Sequence, residues 1–113
     1  MIQLLDSATD SVFLHDFYGN FVYVNEAAYK TWGYTKEELM EMNFHKLDVP
    51  KYEKLIESRI KELMEKGEFT FETAHFRKDG SKMPVEIFSK IIEYTNKPLV
   101  LSYVRDITER KKI

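Results

Sequence analysis

The sequence has no cysteine among its 113 residues. Every site that depends on a thiol is therefore excluded, which covers disulfide frameworks, thiolate metal ligands, cysteine nucleophiles and chromophores attached through sulfur. A chain of this length forms one ordinary domain, and such a domain buries enough surface to fold without a covalent or metal staple. Its stability must therefore come from an apolar core.

Long apolar runs and a strong net charge are also missing. The longest run of large apolar residues covers only residues 21–24, whereas a transmembrane helix needs ~20, and the N-terminus lacks the pattern of a signal peptide. With 17 basic and 19 acidic residues the net charge is −2, which gives little attraction to the phosphates of nucleic acid. We therefore expect a cytoplasmic domain that contacts neither nucleic acid nor a membrane. Its apolar start and charged end, residues 109–112, are typical of a domain excised from a longer protein.

The first half of the chain predicts a short helix, a hairpin and a helical segment. Apolar spacing indicates an N-terminal helix over residues 1–8. Residues 11–25 predict a hairpin whose turn contains Gly19, a residue that tolerates positive φ. The helical segment, residues 26–66, begins after Asn25, which is a good helix N-cap.

Two further helix starts stand out inside that segment. Thr35 and Glu38 form a T-x-x-E capping box, in which each side chain binds the backbone N–H of the other. The longest helix is predicted over residues 50–66, with Asp48 as a plausible cap and Pro50 in the first turn, where its missing N–H costs nothing.

The second half predicts three strands over residues 69–106. The apolar residues alternate with polar ones, and Asp-Gly at residues 79–80 and the sequence TNKP at residues 95–98 indicate turns. Strands grouped in blocks before and after the helices imply an α+β fold with an antiparallel sheet.

Four segments resemble the PAS family and together cover nearly the whole chain in the family's order. They are DFYGNFVYVN at residues 16–25, WGYTKEEL at residues 32–39, RKDGS with PVE between residues 77 and 86, and RDITERK at residues 105–111. The resemblance implies a PAS fold of about five antiparallel strands with short helices packed on one face.

The resemblance also implies a sensory, signal-transmitting module of a multidomain protein, most often a two-component sensor histidine kinase. Residues 107–113 would begin the linker helix to a downstream kinase or other output domain. Asp106 and Thr108 can accept hydrogen bonds from the N–H groups of that helix, so the predicted relay residues are Asp106, Ile107 and Thr108. We expect a homodimer through the N-terminal helix and the sheet, with contacts from Ile2, Leu4 and Leu5.

The sequence has sixteen aromatic side chains, 8 Phe, 7 Tyr and 1 Trp. PAS domains have a cavity between helices and sheet, and some of these side chains could line it or fill it. Relatives place haem, flavin or a small metabolite there, or fill it with side chains. Nine residues are candidates to line a pocket or simply to form the core: Tyr29, Trp32, Phe44, Leu47, Leu55, Ile56, Phe71, Phe88 and Tyr103.

We expect no cofactor. The flavin photochemistry of the light-oxygen-voltage branch and the chromophore of photoactive yellow protein both need a cysteine, and the usual axial histidine of haem-binding relatives is absent from residues 50–66. A metabolite, or a flavin or haem held without a covalent bond, remains the alternative occupant.

The three histidines, His15, His45 and His75, are not spaced as metal ligands, so no metal site is predicted. An ordinary hydrogen-bonded or surface role is favoured for each. His45 lies near the expected mouth of the cavity and is the one residue on which a third interpretation, a small cofactor-independent enzyme, rests.

No catalytic residue is predicted. The serines lack a nucleophile-elbow context and the glycines form no phosphate-binding loop. Glu72 and Glu86 flank the turn at residues 79–80, and we expect them to form ion pairs across the strands with Arg77 or Lys82.

Overall fold

The computed structural model describes residues 10–111, and the predicted N-terminal helix with its contact residues Ile2, Leu4 and Leu5 lies outside that range. The elements in chain order are β1 (Ser11–His15), β2 (Phe21–Val24), α1 (Glu26–Trp32), α2 (Lys36–Met40), two 3₁₀ helices (Phe44–Leu47 and Pro50–Leu55), α3 (Ile56–Lys66), β3 (Glu68–Phe76), β4 (Lys82–Tyr94), β5 (Lys97–Asp106) and α4 (Thr108–Lys111).

The five strands form one antiparallel sheet in the order β2-β1-β5-β4-β3. The first and last strands of the chain are therefore neighbours, and β1 pairs with β5 along its whole length. All five residues of β1 are buried. This architecture confirms the predicted α+β fold. The helix α3 packs against β3 and β4, on what we call the inner face of the sheet.

The helix α1 begins at a buried cap. The side chain of Asn25 is fully buried, and its Oδ1 accepts hydrogen bonds from the backbone N–H of Val12 at 2.9 Å and of Ala28 at 3.0 Å. Its Nδ2 donates to the carbonyl of Asp10 at 2.9 Å. Asn25 therefore joins β1 to the start of α1, in addition to capping the helix as predicted.

The helix α2 begins at the predicted capping box, which lies at the surface. The backbone N–H of Thr35 donates to Glu38 Oε1 at 2.8 Å, and the backbone N–H of Glu38 donates to Thr35 Oγ1 at 3.1 Å. The helix ends at Met40.

The predicted long helix over residues 50–66 is interrupted. Its first six residues, from Pro50, form a 3₁₀ helix, and α3 proper starts at Ile56. The residue before Pro50 is Val49, and no side chain caps this start. The prediction that Asp48 caps the helix is therefore wrong, because its carboxylate turns into the protein and binds Thr73 instead.

Aromatic rings form the centre of the core between the helices and the inner face. Phe13 of β1 contacts Trp32 of α1, with ring centroids 5.1 Å apart, and Phe44, with centroids 5.3 Å apart. Edge-to-face and tilted arrangements such as these favour aromatic pairs beyond the area they bury. Leu39, Met83 and Ile87 belong to the same cluster.

Replacing Asn25 by alanine tests the buried cap. We expect Asn25→Ala to lower the free energy of unfolding by roughly 2–4 kcal/mol, because it leaves more than one buried backbone group without a partner. The matched control is Thr35→Ala, an exposed cap whose loss costs about 1 kcal/mol because water replaces the lost acceptor. Urea unfolding measures both, and equal losses would contradict the role given to Asn25.

Candidate functional site

A cavity of about 40 Å³ lies between α3 and the inner face of the sheet. It is partly open to solvent and, at 10–15 Å³ for each water, has room for about three water molecules. Most of its wall is apolar, and four of its thirteen residues come from α3. The lining residues are His15, Phe17, Phe44, His45, Asp48, Ile56, Arg59, Ile60, Leu63, Phe69, Phe71, Ser89 and Val100.

Three of the nine sequence-predicted pocket residues, Phe44, Ile56 and Phe71, line this cavity. Four others lie elsewhere on the helical side of the sheet. Trp32 and Leu47 are buried in the core, Tyr29 packs against that core, and Leu55 is 39% exposed at the end of the second 3₁₀ helix: none of these four reaches the cavity.

Phe88 and Tyr103, the last two predicted pocket residues, lie on the opposite face of the sheet, which we call the outer face. Their rings are neighbours there, with centroids 6.4 Å apart, on paired strands. Successive side chains of a strand point to opposite faces. Since Ile87 is in the core and Ser89 lines the cavity, Phe88 between them must point away.

A buried ion pair, which the sequence analysis missed, lies in the cavity wall. Arg59 of α3 and Asp48 have side chains 11% and 7% exposed, and Arg59 Nη1 lies 3.6 Å from Asp48 Oδ1. The guanidinium also lies over the ring of Phe71, with Cζ 4.5 Å from the ring centroid. Arg59 falls between Ile56 and Leu63 on the apolar face of the helix, and an arginine at such a position was the available signal.

Asp48 is held by a second contact, from Thr73 of β3. The Thr73 hydroxyl donates to Asp48 Oδ1 at 2.6 Å. Burial raises the pKa of Asp48 above its ordinary value, against the hydrogen bond from Thr73 and the charge of Arg59, which lower it. A carboxylate in this environment depends on both partners to remain charged.

His75 lies behind the ion pair and is fully buried. Its Nε2 is 3.8 Å from Asp48 Oδ1, and neither ring nitrogen has a hydrogen-bond partner within residues 10–111. Its ring packs against those of Trp32 and Phe44. Burial, followed by the charge of Arg59, lowers the pKa of His75 to about 3, so the ring is neutral at neutral pH.

A chain of three hydrogen-bonding side chains leads from the cavity into β1. His15 Nδ1 lies 2.8 Å from the carbonyl of Asp16, which can only accept, so Nδ1 carries the proton. Burial lowers the pKa of His15 to about 4, so its Nε2 accepts from the Ser102 hydroxyl at 3.0 Å. Ser89 then donates to Ser102 at 2.7 Å. The oxygen of Ser89, at the cavity wall, keeps its acceptor capacity.

His45 lines the cavity mouth as the sequence suggests, and its Nε2 donates to the carbonyl of Phe17 at 3.0 Å. Within the described part of the chain, no group of three or more His, Asp or Glu side chains is placed to hold a metal ion.

The cavity does not fit a haem or a flavin. Pockets that enclose molecules of that size have volumes of several hundred Å³, whereas this cavity measures about 40 Å³. The rings of Phe44, Phe69 and Phe71 and the side chain of Arg59 occupy its walls. The space suits a ligand of a few heavy atoms.

The predicted relay residues lie where β5 leaves the sheet. Ile107 is buried, and its N–H donates to the carbonyl of Pro84 on β4 at 3.0 Å. Asp106 Oδ1 accepts from the N–H of Thr108 at 2.9 Å and from the Thr108 hydroxyl, so Asp106 acts as the predicted acceptor and Thr108 as a donor.

The acidic residues Glu72 and Glu86 bind the C-terminal helix α4. They do not pair with Arg77 or Lys82, as the sequence led us to expect. They stand directly opposite each other on β3 and β4, an unfavourable arrangement for like charges. The cations that offset it come from α4: Lys111 Nζ lies 2.7 Å from Glu72, and Arg110 lies 3.3 Å from Glu86. Arg77 pairs instead with Asp106 at 3.3 Å.

The buried histidines predict how stability depends on pH. The unfolded chain protonates them near pH 6.5, whereas folded His15 and His75 resist protonation until about pH 4 and pH 3. The unfolded state therefore binds more protons as the pH falls below 6.5, and each histidine removes up to about 2 kcal/mol of stability between pH 7 and pH 5. The raised pKa of Asp48 acts in the opposite direction, because its folded state takes up a proton first.

Urea unfolding of the wild type and of His75→Leu at pH 7 and pH 5 measures this effect. We expect the variant to fold at pH 7, because leucine removes two unpaired buried nitrogens, and to lose about half of the pH dependence. An unchanged pH dependence in His75→Leu would contradict the assignment.

Among residues 10–111, no helix is long and apolar enough to cross a membrane.

A methyl sulfide methyltransferase-associated sensor from Methanosarcina acetivorans is 29% identical over 110 residues, which is 96% of this chain and 11% of that protein. The chain thus spans about a tenth of that relative's length.

Solved structures of PAS domains have the same fold. A PAS domain from Colwellia psychrerythraea superposes with a TM-score of 0.86 at 27% identity, covering 96% of this chain and 95% of that one. A PAS domain from a two-component sensor histidine kinase has a TM-score of 0.80 at 25% identity, covering 92% and 90%. The PAS family model matches residues 9–109. The chain therefore belongs to the PAS domain family, as its motifs predicted.

Proposed function

We propose that this domain is the sensory, signal-transmitting module of a multidomain protein, and that a two-component sensor kinase is its context. The observation that carries the proposal is the exit from β5, where buried Ile107 is bonded to Pro84 and Asp106 binds the first residue of α4. A strand that ends directly in a helix start leaves no flexible spacer between sheet and output.

Ion pairs support a relay that involves β3 and β4 as well as β5. Arg110 and Lys111 bind Glu72 on β3 and Glu86 on β4. The orientation of α4 therefore depends on the relative position of two strands that also form the cavity wall. A change at the cavity that moves these strands would reorient the start of the output helix.

The similar proteins support the context. One relative is named as a sensor, and one similar structure comes from a two-component sensor histidine kinase. On this proposal the domain itself is not an enzyme, and it works in the cytoplasm next to its output domain. The binding of His45 to the backbone of Phe17 weakens the alternative of a small enzyme, since that residue was its candidate.

The cavity favours a second function, reception of a small ligand. Its polar groups, among them Arg59, Asp48 and Ser89, face a space lined mostly by apolar side chains. A few polar groups in an apolar cavity are typical of ligand sites. The two functions are compatible, because reception at the cavity and transmission through α4 use the same strands.

A chimera tests transmission. The chain is fused through its C-terminus to the dimerisation and catalytic domains of a histidine kinase, and autophosphorylation is measured. We expect Asp106→Ala to change the rate about fivefold, because loss of a helix-start contact worth about 1 kcal/mol shifts the local equilibrium by that factor.

Asp79→Ala is the matched control. Asp79 Oδ1 accepts from the N–H of Ser81, also two residues on, but in the turn between β3 and β4, away from the exit. We expect it to leave the rate unchanged. If Asp106→Ala also left the rate unchanged in a folded chimera, the exit would not be the relay.

We propose a homodimer that forms through the N-terminal segment and the outer face of the sheet. Phe88, Leu101 and Tyr103 give that face an apolar surface of intermediate exposure. The N-terminal residues Ile2, Leu4 and Leu5 remain the predicted contacts. Burying apolar side chains of this size supplies about 1.5–3 kcal/mol each.

Sedimentation velocity of the chain and of a Leu4→Lys/Leu5→Lys variant measures the dimer. We expect the variant to dissociate at a concentration at least ~10-fold higher, because the proposed contact would lose two leucines from each copy. Gln3→Lys adds a similar charge without removing an apolar group and should leave the dimer intact. Equal dissociation constants for variant and wild type would rule out this contact.

A further inference from the structure

The guanidinium of Arg59 has one long contact with an anion. The Arg59 side chain is 11% exposed in the cavity wall, and the carboxylate of Asp48 at 3.6 Å is its sole ion-pair partner among residues 10–111. That distance is longer than an ordinary N–H···O hydrogen bond of about 2.7–3.2 Å. Arginine forms its strongest contacts with two parallel hydrogen bonds to a carboxylate, and the protein supplies no such contact here.

The neighbouring charges leave the cation as the less satisfied partner. Asp48 has the Thr73 hydroxyl at 2.6 Å in addition to Arg59. His15 and His75 are neutral at neutral pH, so neither adds a positive charge beside Arg59. An incoming ligand would therefore meet donors that need an acceptor, and an anionic group meets that need best.

The rest of the cavity sets the size and polarity of the ligand. Apart from Arg59, Asp48, Ser89 and two histidines, the lining side chains are apolar, and the volume is about 40 Å³. This volume matches about three water molecules. Because the cavity is partly open to solvent, it can take an apolar body of one to three carbon atoms with one charged end, and the longer bodies would extend through its mouth.

We propose that this cavity binds a short-chain aliphatic carboxylate of two to four carbons, with its carboxylate on Arg59 and its alkyl group against Phe71, Ile60 and Leu63. The proposal deepens the sensory function proposed above by naming the class of ligand. Only the role of that ligand as a signal rests on the proposed function. Binding itself is a property of the cavity.

A cationic ligand is the opposite possibility, since Asp48 and several rings also lie in the wall. Arg59 already occupies that position: it pairs with Asp48 and lies over the Phe71 ring at 4.5 Å. A second cation would have to displace Arg59 or stand beside it. The structure therefore favours the anion, and the two ligands make opposite predictions for Asp48.

Isothermal titration calorimetry on the 113-residue chain tests the proposal, with acetate, propionate and butyrate as probes at constant ionic strength. Acetamide and propionamide serve as uncharged ligands of matched shape, and propylammonium as the cation. We expect the carboxylates to bind at least ~10-fold more tightly than the amides, because a charge-assisted contact is lost in the amide.

Two variants locate the contact. We expect Arg59→Gln to weaken propionate binding at least ~10-fold, and Asp48→Asn to tighten it several-fold, because asparagine removes the competing carboxylate. Arg105→Gln is the matched control, since Arg105 is an exposed arginine paired with Asp10 at 3.9 Å on the other side of the sheet, and it should leave binding unchanged.

Arg59→Gln leaves Asp48 buried without its cation, so the double variant Arg59→Gln/Asp48→Asn, which removes both charges, is measured as well. Weak binding in the double variant supports the proposal. Binding of carboxylates and amides with equal affinity, binding that Arg59→Gln does not weaken in a folded chain, or tighter binding of propylammonium would each overturn it. No heat with any probe would also overturn it and would leave a cavity that holds water.

These outcomes are separate from those of the relay. If the chain binds carboxylates but Asp106→Ala leaves the activity of the chimera unchanged, the transmission proposal is wrong and the ligand proposal stands. If Asp106→Ala changes the activity of the chimera but the chain binds no carboxylate, the ligand proposal is wrong and the transmission proposal stands.

Discussion

The pairing of β1 with β5 is the constraint on which the rest of the structure depends. It joins the first described strand to the last, and it places β1 between two neighbours so that all its residues are buried. Phe13 then lies under the helices, and His15 meets Ser102 across the pair and reaches the cavity. Because β5 lines the cavity at Val100 and also leads to α4, the cavity and the exit share this strand. Asn25 secures this arrangement by binding Val12 of β1 and the start of α1 with one side chain.

A buried charge pair in so small a domain needs an explanation. Removing two ions from water costs several kcal/mol for each, and a single contact at 3.6 Å does not recover that cost. Thr73 and the Phe71 ring reduce the cost by a hydrogen bond to Asp48 and a cation–π contact to Arg59. Apolar residues of similar volume would serve stability as well or better. The polar wall is therefore better explained by the proposed ligand site than by the stability of the fold.

The sequence predicts well those features that depend on local chemistry. The hairpin turn at Gly19, the cap at Asn25 and the capping box of Thr35 and Glu38 follow from short patterns, and the structure contains them. The four PAS-like segments, taken together in their order along the chain, were sufficient to predict the fold. Asp48 was misassigned because a cap and a buried acceptor look alike in sequence, and only the fold brings Thr73 and Arg59, from other elements, to its carboxylate.

The pocket residues were harder to predict for a related reason. Alternation along β4 and β5 shows which side chains share a face, but it cannot tell which face the helices cover, so Phe88 and Tyr103 were placed on the wrong side. A charge on an apolar helix face was the better signal, and Arg59 carries it between Ile56 and Leu63. The contacts of Glu72 and Glu86 depend on where α4 lies, since their partners are about 25–40 residues away along the chain.

The proposed receptor and relay are connected by the register of the sheet. Ser89 of β4 lines the cavity and pairs with Ser102 of β5, and four positions back along β4 Val85 pairs with Asp106 at the exit. The intervening ladder is continuous, and a close-packed sheet moves as a unit rather than residue by residue. A ligand that drew Arg59 away from Asp48 would leave that carboxylate dependent on Thr73 of β3, the neighbour of Glu72, which holds Lys111. The shortest physical route from the cavity to the output helix therefore runs along β3 through two adjacent residues on opposite faces of one strand.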